Sequence, residues 1–166
     1  MLPKVCIHDK IELTNEAFGR VSYLGINPHG SKPMIGISLD YSLGEHNGTI
    51  NGIKYFNCLP RHGIMVNRSN IKRIIEHNFA DNSCKITIND KVIIGGNKGV
   101  GIVKFIGTIF NTSANGIFYG IELLQPHGNN NGNHKNIIYF PCKINHGIFV
   151  RHAQLTLVKQ HNRNNT

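Results

Sequence analysis

An internal repeat limits what this chain can fold into more than any other feature of its sequence. Residues 44–66 align without a gap on residues 128–150, 84 positions further along. The alignment pairs glycine with glycine and aromatic with aromatic, and it places Cys58 opposite Cys142. Because a repeat sets the number of folding units, the 166 residues are expected to form two related small units.

The repeat continues upstream and accounts for nearly the whole chain. Gly19 and Gly25 pair with Gly101 and Gly107 at an offset of 82, so the second copy has a two-residue insertion in one loop. The stretch between the copies is polar and has the composition of a loop. We therefore predict a first unit over residues 1–76, a linker over 77–83, a second unit over 84–160 and a polar tail over 161–166.

Strand and turn signals dominate both copies. Short runs of β-branched and aromatic residues alternate with Gly, Asn and Pro, and no window has sustained helical periodicity. In units this small, the pattern predicts an all-β fold of two small SH3-like, partly open antiparallel β-barrels in tandem. Gly36 and Gly120 stand between apolar residues and predict bulges or tight bends.

The charge balance points to acidic partners. Lysine and arginine outnumber aspartate and glutamate 18 to 9, which favours nucleic acid, acidic membranes or acidic peptide tails. The basic residues are spread thinly along the chain and form no run, which favours a shaped pocket over an electrostatic stripe.

Cysteine spacing and hydropathy indicate the compartment. The four cysteines contain no C-x-x-C pair, which argues against a zinc knuckle and a dense disulfide scaffold and favours a reducing, cytosolic setting. They are Cys6, Cys58, Cys84 and Cys142. No apolar stretch approaches the roughly 18–20 residues of a membrane span, and the first residues lack a signal-type apolar block. We expect a soluble, cytoplasmic protein without a membrane partner.

Metal, cofactor and catalytic roles find little support. Cys58 and Cys142 are each followed four residues later by a histidine, but two ligands per copy do not complete a tetrahedral site. The glycine-rich loops do not precede a helix or end in G-K-[ST], which disfavours nucleotide binding. With nine acidic residues and no matched pair of carboxylates in the two copies, we expect no enzyme, metal or cofactor.

The repeated motifs resemble a known family. The first copy has GRVSYLG, MIGISL, GEHNG, YFNC and HGIMV, and the second has GIVKFIG, FYGIEL, GNNNG, YFPC and HGIFVR. Both sets are similar to the CAP-Gly domain. The resemblance implies a non-enzymatic, microtubule-associated module whose groove receives C-terminal tails of the Glu-Glu-Tyr or Glu-Glu-Phe type, from tubulin or end-binding proteins. A terminal aromatic ring needs apolar walls, its carboxylate needs donors, and the preceding acids need positive potential.

The resemblance assigns site residues in the second copy. Phe118 stands where the family has tryptophan, and Phe149 forms a second wall. Asn130 has the position of the loop asparagine and would bond the peptide carboxylate, while Asn129 replaces the family's lysine. Arg151 could supply positive potential, and Phe110 substitutes for a further groove aromatic. Loss of the lysine predicts a weakening of binding by roughly ten- to a hundredfold.

The first copy has weaker equivalents of these residues. They are Met34 for tryptophan, Met65 for phenylalanine, Glu45 for lysine, His46 for asparagine and Asn47 for aspartate. A glutamate repels a carboxylate ligand, and methionine walls a slot more loosely than an aromatic ring. We expect the first copy to bind weakly, to prefer another partner or to serve as structure, with two weak sites gaining strength on a polymer through avidity.

Two alternatives remain from the sequence. Small basic barrels with surface aromatics also bind RNA, so nucleic acid is a less favoured partner that the sequence does not exclude. The second alternative is a tubulin-folding cofactor or a cytoskeletal scaffold fragment. Its biological role would differ from that of a tail-binding protein, but the physical basis of binding would be much the same, so the sequence does not separate the two. No heptad repeat predicts a coiled-coil dimer, and the oligomeric state stays open.

Overall fold

The computed structural model describes residues 3–26, 32–77 and 85–159. The predicted linker, apart from His77, and the predicted tail lie outside the described residues. Among the residues that are described, no helix has the length and apolar character needed to span a bilayer.

The first copy consists of short antiparallel strands and turns. They are β1 (Lys10–Leu13), β2 (Phe18–Ile26), β3 (Pro33–Leu39), β4 (Thr49–Ile50), β5 (Ile53–Lys54), β6 (Gly63–Val66) and β7 (Ile71–Glu76). Five of them form a sheet in the order β7-β1-β2-β3-β6, and β4 pairs with β5 in a separate hairpin. A single 3-10 turn, Arg68–Asn70, leads into β7.

The second copy repeats this arrangement. Its strands are β8 (Lys91–Ile94), β9 (Gly99–Gly107), β10 (Phe118–Leu123), β11 (Asn133–His134), β12 (Ile137–Ile138), β13 (Gly147–Val150) and β14 (Leu155–Leu157). The sheet order is β14-β8-β9-β10-β13, with β11 and β12 as the separate hairpin. The all-β class and the unclosed, partly open antiparallel sheets are therefore confirmed.

The two predicted bulge glycines lie where each sheet turns. Pairing of β2 with β3 skips one residue beside Gly36, and pairing of β9 with β10 shifts beside Gly120. At both positions an aromatic ring lies against the glycine: a Cβ added to Gly120 would approach the Phe140 ring to 2.4 Å, and one at Gly36 would approach the Phe56 ring to 2.5 Å. The bulge bends the strand, and the missing side chain makes room for the ring.

The two copies join edge to edge through β2 and β9. Leu24 pairs with Ile106, and Gly25 pairs with Phe105, in antiparallel register. Leu24 and Ile106 are equivalent residues of the repeat, because they differ by the same 82 positions as Gly25 and Gly107. Two copies whose equivalent residues pair antiparallel are related by a local two-fold axis, as in a symmetric dimer. The result is one sheet of ten strands.

Both hydrophobic clusters contain residues of both copies. The larger cluster combines Val21 and Ile37 of the first copy with Val103 and Ile121 of the second. The smaller one is aromatic, and it is built from Tyr23, Phe56, Phe105, Ile109, Tyr139 and Phe140. Tyr23 contacts Phe105 across the junction, with ring centroids 5.9 Å apart. The copies are therefore packed together rather than joined only by a linker.

The N-terminal segment adds polar contacts between the copies. Lys4 donates to the Lys85 carbonyl and forms an ion pair with Asp90, each at 3.1 Å. Asp90 also accepts a hydrogen bond from the Thr87 N–H, just as buried Asp9 accepts one from the Cys6 N–H. The repeat thus has a carboxylate that closes the turn before its first strand in each copy.

The cysteines differ in whether they form a disulfide bond. Cys6 is disulfide-bonded, whereas Cys58 and Cys142 are free. The disulfide at Cys6 departs from the free thiols that a reducing setting implies, although one disulfide does not make a dense scaffold.

Candidate functional site

The glycine-rich loop of the second copy is fixed against strand β13. The N–H groups of Asn129 and Asn130 donate to the Gly147 carbonyl at 3.0 and 3.2 Å, and the Gly147 N–H donates to the Asn130 carbonyl at 2.8 Å. Gly132 ends the loop at a φ of 88°, and a Cβ there would lie 1.6 Å from the Phe140 carbonyl oxygen. Only glycine fits this position, so the loop backbone has one well-defined path.

The side chain of Asn130 is oriented by its own turn. Its Oδ1 accepts a hydrogen bond from the Gly132 N–H at 2.8 Å, and its Nδ2 donates to Asn129 Oδ1 at 2.8 Å. The Gly132 donor fixes which end of the amide is oxygen. An amide nitrogen has two hydrogens, so one remains to donate to a ligand.

A groove of about 310 Å³ lies beside this loop. Its lining combines aromatic, apolar and polar side chains from β10, β11, β13 and two loops. The lining residues are Ile109, Thr112, Ala114, Phe118, Asn129, Asn130, His134 and Phe149. Four residues singled out from the sequence, Phe118, Asn129, Asn130 and Phe149, thus meet in one groove.

Phe149 is held by other aromatic rings. It makes edge-on contacts with Tyr139, Phe140 and Phe105, with ring centroids 5.4, 5.5 and 6.2 Å apart. Such edge-to-face packing restrains the orientation of each ring. Phe149 is partly exposed and therefore gives the groove a rigid aromatic wall.

Phe118 lines the same groove, and Arg151 lies over its ring without itself lining the groove. The Arg151 guanidinium carbon lies 3.6 Å from the Phe118 ring centroid, a close cation–π contact. Its two terminal nitrogens donate to the carbonyls of Ile117 and Asn115, at 3.1 and 2.6 Å. The positive charge of Arg151 is thereby fixed beside Phe118, and within the described part of the chain no carboxylate forms an ion pair with it.

Phe110 lies outside the groove lining. Its N–H donates to the Tyr139 hydroxyl at 2.8 Å, and its side chain packs against the aromatic cluster. Lys54 of the first copy lies over its ring, 4.6 Å from the centroid. The neighbouring Ile109 lines the groove instead.

His134 is a groove residue that the sequence reasoning missed, as are Ile109, Thr112 and Ala114. It lies on β11, four residues after Asn130, and its ring centroid is 6.3 Å from that of Phe149. Its Nε2 is buried without a hydrogen-bond partner among the described residues. Its place in a two-residue strand that directly follows the loop was the signal that could have identified it.

The second copy has a higher net positive charge than the first, because it has fewer acidic side chains. Residues 88–155 contain six basic and two acidic side chains, whereas residues 7–71 contain six and five. Both acids of the second copy are paired, Asp90 with Lys4 at 3.1 Å and Glu122 with Lys104 at 3.5 Å. None of the described residues that line the groove has a carboxylate. An acidic ligand would therefore be attracted electrostatically to this groove, with few acidic side chains nearby to repel it.

The free cysteine of the second copy is unsuited to holding a metal. Burial, with a smaller contribution from Glu122, raises the pKa of the Cys142 thiol to about 11. The thiolate is the form that binds metals, and it is scarce at neutral pH. His146, four residues later, has its Nδ1 2.7 Å from the Leu123 carbonyl, which fits an N–H donor.

Within residues 3–26, 32–77 and 85–159, one group of three side chains brings metal-type ligand atoms together. Cys6, Asp9 and His77 have ligand atoms within 4.8 Å of one another. Cys6 is disulfide-bonded, and the Asp9 carboxylate already accepts from the Cys6 N–H at 2.9 Å and contacts His77 Nδ1 at 3.3 Å. These contacts describe a hydrogen-bonded turn rather than a metal centre.

In the first copy, His46 makes the loop hydrogen bond that Asn130 makes in the second copy. Its Nδ1 accepts a hydrogen bond from the Gly48 N–H at 3.0 Å, at the position equivalent to the Asn130–Gly132 bond. An acceptor Nδ1 requires the neutral ring with its hydrogen on Nε2. Burial lowers the pKa of His46, and the nearby Glu45 opposes this in part.

The remaining first-copy residues are dispersed. Glu45 and Asn47 are exposed on the loop. Met34 lines a cavity of about 270 Å³ near the junction, together with Pro3, Leu24 and Ile88. Met65 lines a different cavity of about 240 Å³. The two methionines thus border different cavities, whereas Phe118 and Phe149 share one groove.

Comparison with known proteins identifies relatives of both copies. The chain is 26% identical to "CAP-Gly domain-containing linker protein 3" of Mus musculus, over 86% of this chain and 33% of the relative. It is 25% identical to "Restin homolog" of Drosophila melanogaster, over 84% of this chain and 10% of the relative. A shorter match, 45% identical over 38% of this chain, is to "Centrosome-associated protein 350" of Mus musculus and covers 2% of that protein. The chain spans a third or less of these relatives.

The model of the CAP-Gly domain family matches the chain twice, over residues 7–71 and 88–155. The two matches coincide with the two copies of the repeat and with the two halves of the ten-stranded sheet. The chain therefore belongs to the CAP-Gly domain family.

Proposed function

We propose that this chain is a non-enzymatic, microtubule-associated binding protein that recognises acidic, aromatic-ended C-terminal tails, mainly through its second copy. One observation carries the proposal: Phe118, Phe149 and the Asn130 amide line a single groove, and no described residue of its lining has a carboxylate. Tails of the Glu-Glu-Tyr or Glu-Glu-Phe type, such as those of tubulin or end-binding proteins, have the matching chemistry. The family relationship and relatives named for linker and centrosome proteins support a cytoplasmic, cytoskeletal setting.

Each part of such a tail has a counterpart in the groove. The terminal ring fits between Phe118 and Phe149, where aromatic contacts are worth about 0.5–1.5 kcal/mol beyond burial. The terminal carboxylate is placed to accept from the second hydrogen of Asn130 Nδ2, which the loop's own hydrogen bonds leave unused. The preceding acidic residues meet the positive potential of Arg151.

The experiment is a chemical-shift titration of the full chain with an acidic peptide ending in Glu-Glu-Tyr. The control is the same peptide without the tyrosine. We expect saturable shifts around Phe118, Asn130 and Phe149 that disappear with the control peptide. Equal shifts with both peptides, with a strong dependence on salt, would contradict tail recognition and point to a nucleic-acid surface.

A further inference from the structure

Lys54 of the first copy contacts Phe110, which follows the groove-lining residue Ile109 in the second copy. It belongs to β5, in the hairpin that β4 and β5 form. Its Nζ is 4.6 Å from the centroid of the Phe110 ring, a distance at which an ammonium is attracted to an aromatic face. The first copy thereby places a positive charge next to a segment that shapes the second copy's groove.

That segment consists of residues 109–112. Ile109 and Thr112 line the groove, and Phe110 between them turns its ring to Lys54. The next carbonyl, that of Asn111, accepts a hydrogen bond from Lys135 Nζ. Two ammonium groups therefore contact residues 110 and 111, which lie in sequence between the groove-lining residues Ile109 and Thr112.

These ammonium groups are available to an acidic ligand. Among the described residues, neither Lys54 nor Lys135 has a carboxylate within ion-pair distance, and the same is true of Arg151. Charges within about 8–10 Å, the Debye length near physiological salt, interact with little screening. A peptide that leaves the groove past residues 109–112 would bring its acidic residues into this range.

The position of Lys54 is fixed by packing between the copies. The next residue, Tyr55, makes an edge-on contact with Tyr23 at 5.3 Å, and Tyr23 contacts Phe105 at 5.9 Å. Phe105 in turn contacts the groove residue Phe149. A continuous set of aromatic contacts therefore connects the strand of Lys54 with the wall of the groove.

We propose that Lys54 is part of the tail-binding site, so that the first copy takes part in recognition by supplying a cation to the second copy's groove. The inference rests on the proposed function. It addresses the acidic residues that precede the terminal aromatic. The loop of the second copy has Asn129 where the family motif has lysine, and Lys54 restores a positive charge on another side of the groove.

The test compares Lys54→Gln with Lys91→Gln in the full chain. Lys91 is an exposed lysine on β8, so its replacement removes the same charge away from the groove. Each protein is titrated with a peptide ending in Glu-Glu-Tyr and with one ending in Gln-Gln-Tyr. We expect Lys54→Gln to weaken binding of the acidic peptide by roughly three- to tenfold and to leave the neutral peptide unchanged. Lys91→Gln should change neither, and Lys54→Arg should restore affinity for the acidic peptide.

The outcomes separate the two proposals. If the wild-type chain binds the acidic peptide and Lys54→Gln binds it as well as Lys91→Gln does, the role of Lys54 is wrong and the tail-binding function stands. Equal weakening for both peptides would also overturn it, because it indicates a change of groove shape. If the wild-type chain binds neither peptide, the proposed function itself is wrong.

Discussion

Leu24 and Ile106, equivalent residues of the two copies, pair with each other at the junction of the ten-stranded sheet. The junction is continuous with buried residues of both copies, including Tyr23 and Phe105. A fragment with one copy would expose this apolar surface and the unpaired edge of β2 or β9.

We therefore predict that the full chain unfolds in one cooperative transition and that isolated copies are unstable. The measurement is urea denaturation of the full chain, followed by a near-ultraviolet and a far-ultraviolet signal, beside the spectra of residues 84–160 alone. Coincident transitions and a poorly folded fragment are expected. Two separate transitions, or a fragment as stable as the full chain, would show that the copies are independent.

Gly120→Ala should destabilise the protein by roughly 1–3 kcal/mol, because the new methyl group must displace a packed ring. A Cβ at this position lies 2.4 Å from Phe140 Cε1 and 3.0 Å from Phe105 Cβ. Gly95→Ala is the matched control, since its nearest neighbour is the Gln154 carbonyl oxygen at 3.5 Å. The two variants are compared by their urea denaturation midpoints. Similar midpoints would mean that the Phe140 ring beside residue 120 moves aside easily.

His46 should make the stability of the protein depend on pH. The folded state keeps His46 neutral, because its Nδ1 accepts from the Gly48 N–H and burial lowers its pKa. In the unfolded state the ring takes a proton below its ordinary pKa of about 6.5. The contribution of His46 is therefore fully present above about pH 6.5 and decreases as the pH falls towards the lowered folded-state pKa.

The variant His46→Asn isolates this effect from the other histidines. Asparagine should keep the turn, as Asn130 does in the second copy, without titrating. We expect the free energy of unfolding of His46→Asn to fall less than that of the wild type between about pH 7.5 and about pH 5.5. Parallel curves would show that protonation of His46 is not coupled to folding.

Asn130→His should separate loop structure from ligand binding. The histidine can accept from the Gly132 N–H, as His46 accepts from the Gly48 N–H, so the loop should keep its conformation. It loses the amide donor to the peptide carboxylate, for which we expect a loss of affinity of roughly ten- to a hundredfold. Amide shifts of residues 128–132 report the loop, and peptide titration reports the affinity. An intact loop with undiminished affinity would exclude Asn130 as the carboxylate donor.

Local features of the fold were predictable from the sequence because they depend on nearest neighbours. Bulges lie beside Gly36 and Gly120, as their place between apolar residues predicted. The junction was not predictable, because Leu24 and Ile106 resemble ordinary core residues of a strand. Apolar alternation shows which face of a strand is buried but does not show which strand pairs with its edge.

The meeting of three predicted site residues was predictable from the alignment of the motifs, although Phe118 and Asn129 depart from the family pattern. Phe118, Asn130 and Phe149 meet as the resemblance implied. The two-residue insertion in the second copy made the register of the next loop uncertain, and Ile109 rather than Phe110 lines the groove. Lys54 was beyond sequence reasoning, since its proximity to Phe110 depends on the junction between the copies.

The proposed function requires that a terminal aromatic ring enter the groove between Phe118 and Phe149. The most direct measurement is an isotope-filtered NOE experiment on the full, labelled chain with an unlabelled peptide ending in Glu-Glu-Tyr. We predict NOEs from the tyrosine ring to Phe118, Phe149 and Ile109, which line the same groove. Saturable binding with NOEs to Met34 or Met65 of the first copy, and none to the second-copy groove, would contradict the claim.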